Sequence, residues 1–319
     1  MIYTLSDQDL NDMKKYSVSD VKISVIVPCY NVSNYITACV KSIVEQTIGL
    51  SHLEIILIND ASTDETYNML LDIEQQYPDN ILVVNCDVNG KQGRARNIGL
   101  SYASGDYITF VDADDQIAPG MLDELIRGLL YCDASIAECE AQMIMDYNNI
   151  PKNIEPNEST VHKLTRVESD EEARIFYINQ AFETSVCRRL YRRAFIEDTK
   201  LCFPEQIFME DIYFSQLAMI YCKSMYQVNI PYYLYYIHPD STMHSARLAS
   251  YYMDIHKVSA LVIETVKERG LFETYKDALQ YVYTRKVFHD LTDFMNKSIK
   301  PFPIHNYQIM KQYIEDTFH

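Results

Sequence analysis

The apolar residues of this chain come in short blocks whose period changes along the sequence. Ile23–Val27 is a short apolar, β-branched run ended by Pro28, which reads as a buried strand. Positions 33–46 then place Ile36, Val40, Ile43 and Val44 at helical spacing. Leu53–Ile58 is a second strand, closed by the polar pair Asn59-Asp60. Ser62-Thr-Asp-Glu65 has the form of a capping box, and the helix expected behind it carries Tyr67, Leu70, Leu71 and Ile73 before Pro78. Ile81–Val84 is a third strand, and a helix runs from Gly90 through Ala103 to Gly105. Tyr107–Val111 is a fourth strand that leads into Asp112-Ala-Asp-Asp115, and Pro119–Leu130 is a helix again. Strands alternating with helices of this length form βαβ units. The expected fold class is therefore α/β, a Rossmann-like, mostly parallel sheet flanked by helices.

Beyond residue 140 the pattern loosens. Residues 144–165 are rich in Asn, Pro and Glu and read as irregular, whereas 169–180 have helical character. Residues 183–240 are mixed and include the aromatic run Pro231-Tyr-Tyr-Leu-Tyr-Tyr-Ile-His238. From Ser245 onward Tyr252, Ile255, Val258, Leu261, Val262 and Val266 lie on one helical stripe. The expected organisation is an α/β domain over 1–244, in two halves (22–140 and 141–244), with a helical C-terminal region over 245–319.

Composition narrows the partners. The chain has 319 residues, 48% of them hydrophobic, with 8 Gly and 10 Pro, so a large core and little low-complexity linker are expected. The formal charge of −17 repels nucleic acid and anionic lipid. Any phosphate site must then be made locally positive by a divalent cation or by a few Arg and Lys. No apolar run is long enough for a transmembrane helix, and Met1–Asp20 lacks the pattern of a secretion signal. The eight Cys form no CxxC pair and read as reduced thiols. A cytoplasmic location is expected, peripheral to the membrane only through partners.

In an α/β sheet ligands gather beyond the carboxyl ends of the strands. The polar clusters Pro28-Cys-Tyr-Asn31, Asn59-Asp60 and Asp112-Ala-Asp114 all fall on that edge. Extended backbone would turn Asp112 and Asp114 into one space, where two carboxylates call for a cation such as Mn²⁺ or Mg²⁺ that bridges to a diphosphate. Asp60 is the candidate to accept a nucleobase ring N–H. In Asn89-Gly-Lys-Gln-Gly-Arg-Ala-Arg-Asn97, two glycines and Lys91, Arg94 and Arg96 surround a helix start, which suits an anion. Cations there oppose the helix dipole and need an anion to offset them. Glu210-Asp211 lies between apolar neighbours and could take a proton from a hydroxyl. His238 and His244, beside the aromatic run, are candidates to ligate a metal or touch phosphate.

Taken in order, these pieces resemble glycosyltransferase family 2, with its nucleotide-diphospho-sugar transferase (GT-A) fold. The matching segments are Val25-Ile-Val-Pro-Cys-Tyr-Asn31, Ile58-Asn-Asp-Ala-Ser-Thr-Asp64, Gly93-Arg-Ala-Arg-Asn-Ile-Gly99, Gly105–Asp115, Leu190-Tyr-Arg-Arg193 and Met209-Glu-Asp211. The resemblance implies that Pro28, Tyr30 and Asn31 line a nucleotide pocket and that Asp60 holds uracil. It sets Gly93 and Arg94 near the nucleotide or its phosphates. Asp112 and Ala113 lie by the ribose or sugar, and Asp114, with Asp112, at the metal. Asp211 would be the catalytic base and Glu210 its support. The implied activity is inverting transfer from a UDP-sugar to a hydroxyl on a glycan, glycoprotein or lipid-linked saccharide. The rivals are a non-catalytic partner subunit and a sugar nucleotidyltransferase. The chain departs from the family pattern at Ala61, usually Gly, and at Cys187 and Tyr236. The region after Ser245 carries no motif; a cover over the acceptor, a docking face and a homo-oligomer surface all suit its helices.

Overall fold

The structure, a computed structural model, describes residues 1–145, 154, 156–238, 249–299 and 301–318. Contacts divide it into two compact units. The first comprises Met1–Arg166, Ser185–Glu205 and Cys222–His238; the second comprises Val167–Thr184, Gln206–Tyr221 and Pro239–His319.

The described strands all belong to the first unit. They are β1 (Ile2–Thr4), β2 (Ile23–Cys29), β3 (Leu53–Asn59), β4 (Ile81–Asn85), β5 (Tyr107–Phe110) and β6 (Gln116–Ile117). After them come β7 (Ile136–Glu138), β8 (Ala141–Ile144), β9 (His162–Arg166), β10 (Arg189–Arg192), β11 (Ser224–Val228) and β12 (Tyr233–Tyr236). Nine of them form one sheet in the order β1-β9-β11-β7-β10-β5-β2-β3-β4, and β6-β12-β8 form a second. In the large sheet β2, β3, β4 and β5 are mutually parallel, and only β9 and β10 run against the common direction. The expectation of a mostly parallel sheet is thus met. β2 is buried at every position, which is why its sequence shows a run and not an alternation.

The helices of this unit are α1 (Asp7–Lys14), α2 (Ile36–Val44), α3 (Thr66–Gln76), α4 (Lys91–Tyr102) and α5 (Met121–Tyr131), with α7 (Arg193–Asp198) after β10. α5 buries Met121, Leu122, Leu125, Ile126 and Leu129 and packs on β7 and β11. α4 has no such stripe and approaches β2 through small residues. A Cβ on Gly99 would stand 2.3 Å from Ile26 Cγ2. The N-terminal segment, which shows no strand period, adds β1 to the edge of the sheet and caps α1 through Ser6 and Asp9.

The second unit is helical in its described residues. It holds α6 (Asp170–Gln180) and α8 (Glu210–Tyr221), then α9 (Ala249–Glu268), α10 (Phe272–Val282), a π-helical turn at Tyr283–His289, α11 (Asp290–Ser298) and α12 (Ile304–Phe318). Buried hydroxyls tie it together: Tyr177 donates to Gln216 Oε1 (3.1 Å), Tyr275 to the Ile220 carbonyl (2.9 Å), and Tyr213 pairs with Thr265 (3.0 Å). Among the described residues no helix is long and apolar enough to cross a membrane.

Candidate active site

The carboxyl ends of β2, β3 and β5 carry the polar clusters expected from the sequence. Asn31, just after β2, has a left-handed backbone (φ 53°), and so does Ala61 after β3 (φ 58°). A β-carbon in that region costs about 1–2 kcal/mol, a physical reason for the glycine usual at the position of Ala61. The two loops are stapled together: Thr63 N–H donates to Asn31 Oδ1 (2.8 Å), Asn31 N–H to Ser62 Oγ (3.1 Å) and Ser33 N–H to Asp64 Oδ2 (3.2 Å). The capping box expected at Ser62–Glu65 does not form. Its side chains are taken by the neighbouring loop, and α3 starts at Thr66 with Asp64 Oδ1 accepting the Thr66 N–H (3.0 Å). Pro28 is a strand residue paired in register with Ile58, and Tyr30 is 47% exposed.

Asp60 is buried, and its Oδ1 accepts the Gly90 N–H at 2.8 Å. Burial raises its proton affinity; the Gly90 and Lys91 amides and nearby Arg94 oppose this without cancelling it. Asp60 therefore supplies the protein's own anion at this basic helix start. Arg94 folds back over Gly90 and donates to the Val88 carbonyl (2.9 Å), while Gly93 is buried in the first turn of α4. Arg96, grouped in sequence with the anion-binding cations, is instead the counter-ion of Asp112. Its Nη2 lies 2.7 Å from Asp112 Oδ1, and the Arg96 side chain is 2% exposed. The guanidinium also lies 5.4 Å from the centre of the Phe203 ring.

Asp112–Asp115 is a turn and not an extended segment, closed by Asp115 N–H on the Asp112 carbonyl (3.0 Å). The two candidate carboxylates consequently have different partners. Asp114 Oδ2 meets His238 Nε2 at 2.9 Å, and His238 Nδ1 meets the Tyr35 hydroxyl at 3.2 Å. The Tyr236 ring stacks on His238 (centroids 5.4 Å apart, 15° between planes). Asp114 keeps 32% of its side-chain exposure. Burial first and the adjacent Asp112 second push its carboxyl above the ordinary range, against the pull of His238. Ala113 is buried beneath the turn, and Asp115 is buried with Tyr233 and the Tyr236 amide as its donors. Tyr35, Asp115 and Tyr233 have no place among the expected site residues; the acidic run Asp112–Asp115 contained Asp115 and the aromatic run contained Tyr233.

His244 lies outside the described residues. Glu210 and Asp211 belong to the second unit, at the first turn of α8, where the helix dipole favours carboxylates. Glu210 is buried, Asp211 is half-buried with its Oδ1 on the Ile212 N–H (2.9 Å), and Met209 before them is left-handed (φ 64°). Among the described residues no three His, Cys, Asp or Glu side chains form a ready-made metal cage. That is compatible with Mg²⁺ or Mn²⁺, which commonly takes one or two protein carboxylates and completes its shell with water and substrate phosphates.

A family model described as Glycosyl transferase family 2 matches residues 24–199. The minor teichoic acid biosynthesis protein GgaB of Bacillus subtilis is 42% identical over 104 residues, 33% of this chain and 11% of GgaB. The poly(ribitol-phosphate) beta-glucosyltransferase of Bacillus spizizenii is 27% identical over 285 residues, 88% of this chain and 42% of that enzyme. The chain thus spans less than half the length of either relative. Among solved structures, Staphylococcus aureus TarS 1-349 in complex with UDP-GlcNAc superposes with a TM-score of 0.69 at 22% identity, covering 93% of this chain and 82% of that one.

Proposed function

The chain belongs to glycosyltransferase family 2, and we propose on that footing that it moves a sugar, with inversion, from a UDP-sugar to a hydroxyl of a surface polysaccharide or other glycan. The supporting observation is the turn after β5, where Asp114 stands between a second carboxylate and His238. UDP is the proposed nucleotide because the TarS fold relative was solved with UDP-GlcNAc. A polyol-phosphate or polysaccharide acceptor is proposed from the names of GgaB and the B. spizizenii enzyme.

The residues suit a divalent cation. Burial first and Asp112 second raise the proton affinity of Asp114, a condition that Mn²⁺ or Mg²⁺ would relieve. Asp114, Asp112 and His238 would hold the ion, which when bound neutralises charge on the departing diphosphate. Asp60 would accept the uracil N–H, with Pro28, Tyr30 and Asn31 lining the base and Arg94 near the phosphates. Arg96 would orient Asp112 through its 2.7 Å contact. Inversion needs a carboxylate on the side away from the diphosphate to take the hydroxyl proton. Asp211 is proposed for that role, with Glu210 as its support.

Two variants separate the two proposed roles. Asp114→Asn is expected to abolish the Mn²⁺-dependent rise in melting temperature with UDP, a rise worth about 2.7 kcal/mol at a hundredfold excess over Kd. Asp211→Asn is expected to keep that response and lose about 10²–10⁴ in transfer rate, read as UDP release with acceptor. Full transfer by Asp211→Asn removes Asp211 as base, and an unchanged Mn²⁺ response in Asp114→Asn removes the metal site.

A further inference from the structure

Asp115 has no task in the chemistry above, yet it is an acidic side chain buried to 1% exposure beside two other carboxylates. An apolar residue would be cheaper at such a place, because a buried carboxylate is costly to desolvate. Its two oxygens reach the same distant strand. Oδ2 accepts the Tyr233 hydroxyl at 2.6 Å, and Oδ1 accepts the Tyr236 N–H at 2.8 Å. The Tyr233 hydroxyl also accepts the Asp112 N–H at 3.3 Å. Asp115 and Tyr233 therefore close a clasp between the turn and β12.

The clasp matters because it ties β12 by side chains to the turn that carries Asp114, whereas the parallel ladder from Tyr233 to Tyr236 indexes β12 to β8. β6 follows Asp115 directly and pairs with β12 at Tyr233 with Ile117 and Leu234 with Gln116, and the Ala118 N–H donates to the Tyr232 carbonyl at 2.8 Å. His238 lies two residues beyond β12 and must bring Nε2 to Asp114. A slip of one residue moves it about 3.3 Å along the strand and turns its side chain to the opposite face. Fixing register is the best-attested use of a buried polar group.

We propose that Asp115 and Tyr233 are positioning residues that set the register of β12 and so deliver His238 to Asp114. The link to metal binding rests on the function proposed above; the register itself does not.

The test uses the full chain labelled with ¹⁵N-histidine, with the His238 signal assigned from His238→Ala. In the unmodified chain the His238 nitrogens should carry the shifts of a ring bonded on both sides. Tyr233→Phe, which keeps the ring and removes the clasp, should move them toward those of a solvated histidine. Asp115→Asn should do the same, and it serves if the first variant folds poorly. In parallel, Mn²⁺ binding with UDP is followed by the loss of the free-ion electron spin resonance signal. Tyr233→Phe should weaken it about 10–100-fold, the range for a residue supporting a ligand, and should add nothing in a His238→Ala background. A His238 signal unmoved in the folded variants overturns the proposal, as does a loss of Mn²⁺ affinity that adds in full to that of His238→Ala. If the signal moves while neither His238→Ala nor Tyr233→Phe alters Mn²⁺ affinity, the register role stands and His238 is removed from the metal site.

Discussion

Arg96→Met offers the sharpest measure of how this site manages its charge. Methionine keeps an unbranched apolar stem against Phe203 and removes only the cation. In the native chain Arg96 Nη2 and Asp112 Oδ1 are 2.7 Å apart, with side-chain exposures of 2% and 26%. Two unit charges with centres about 4 Å apart attract by about 4 kcal/mol at an effective dielectric of 20. Removing one partner of a buried pair typically costs 3–5 kcal/mol, because the other charge is left uncompensated. Asp112 retains a quarter of its exposure and regains water, so the lower end, about 3 kcal/mol, is expected at pH 7. The cost should shrink where a second cation is supplied. With Mn²⁺ and UDP present, the destabilisation measured by urea unfolding should fall, because an ion at the proposed site would compensate Asp112 as well as Asp114. A loss under 1 kcal/mol, or a loss that Mn²⁺ with UDP leaves unchanged, would refute the view that Arg96 serves as the resident counter-charge of the turn.

Other expectations follow from the same reasoning. Glu138 is buried; burial pushes its carboxyl up, but Arg189 and Arg188 and the Gln227 hydrogen bond outweigh that and hold it below the ordinary range. A carboxyl depressed on folding adds stability above its unfolded pKa of about 4.3 and loses it as pH falls through the folded value. Denaturation midpoints should therefore drop below about pH 4.3 in the native chain; Glu138→Gln should be about 3–5 kcal/mol less stable at pH 7 and show a flatter acid limb. Gly128→Ala sets two effects in opposition. Helix propensity favours alanine by about 1 kcal/mol, but its Cβ would lie 2.2 Å from Tyr226 Cε1, and that ring is fully buried with its hydroxyl on Glu124. Overpacking costs about 1–3 kcal/mol, so thermal unfolding should show a net loss, and a stabilised variant would mean that Tyr226 moves aside freely.

The first half of the fold was legible because its information is local. Fully buried strands such as β2 and β3 appear as apolar runs, and α5 shows its stripe directly. The strand-end rule located Asp60, Asp112 and Asp114 without any contact being known. What was not legible depends on pairings between distant residues. Ser62 and Asp64 have the spelling of a cap, yet they bond residues 31 positions earlier, and that competition is invisible to a local motif. Asp115 and Tyr233 are 118 residues apart, so neither carries a sign of the other.

Arg96 shows what that blindness conceals in a chain of net charge −17. Lys91, Arg94 and Arg96 look in sequence like three cations offered to a phosphate. Arg96 is committed to Asp112, and the start of α4 already has Asp60 as its anion. The positive charge remaining at this edge for a diphosphate is thus smaller than composition alone implies. At the same time Asp114 is left with a carboxylate neighbour and raised proton affinity. Both facts lead to the same requirement. If a dianionic leaving group binds here it needs imported charge, and a divalent ion at Asp114 would meet that deficit. Mn²⁺ affinity should accordingly rise when UDP is present and UDP affinity when Mn²⁺ is present, by equal factors. Titrating each against the other by calorimetry measures both factors, and independent binding would remove the electrostatic basis for a metal in this protein.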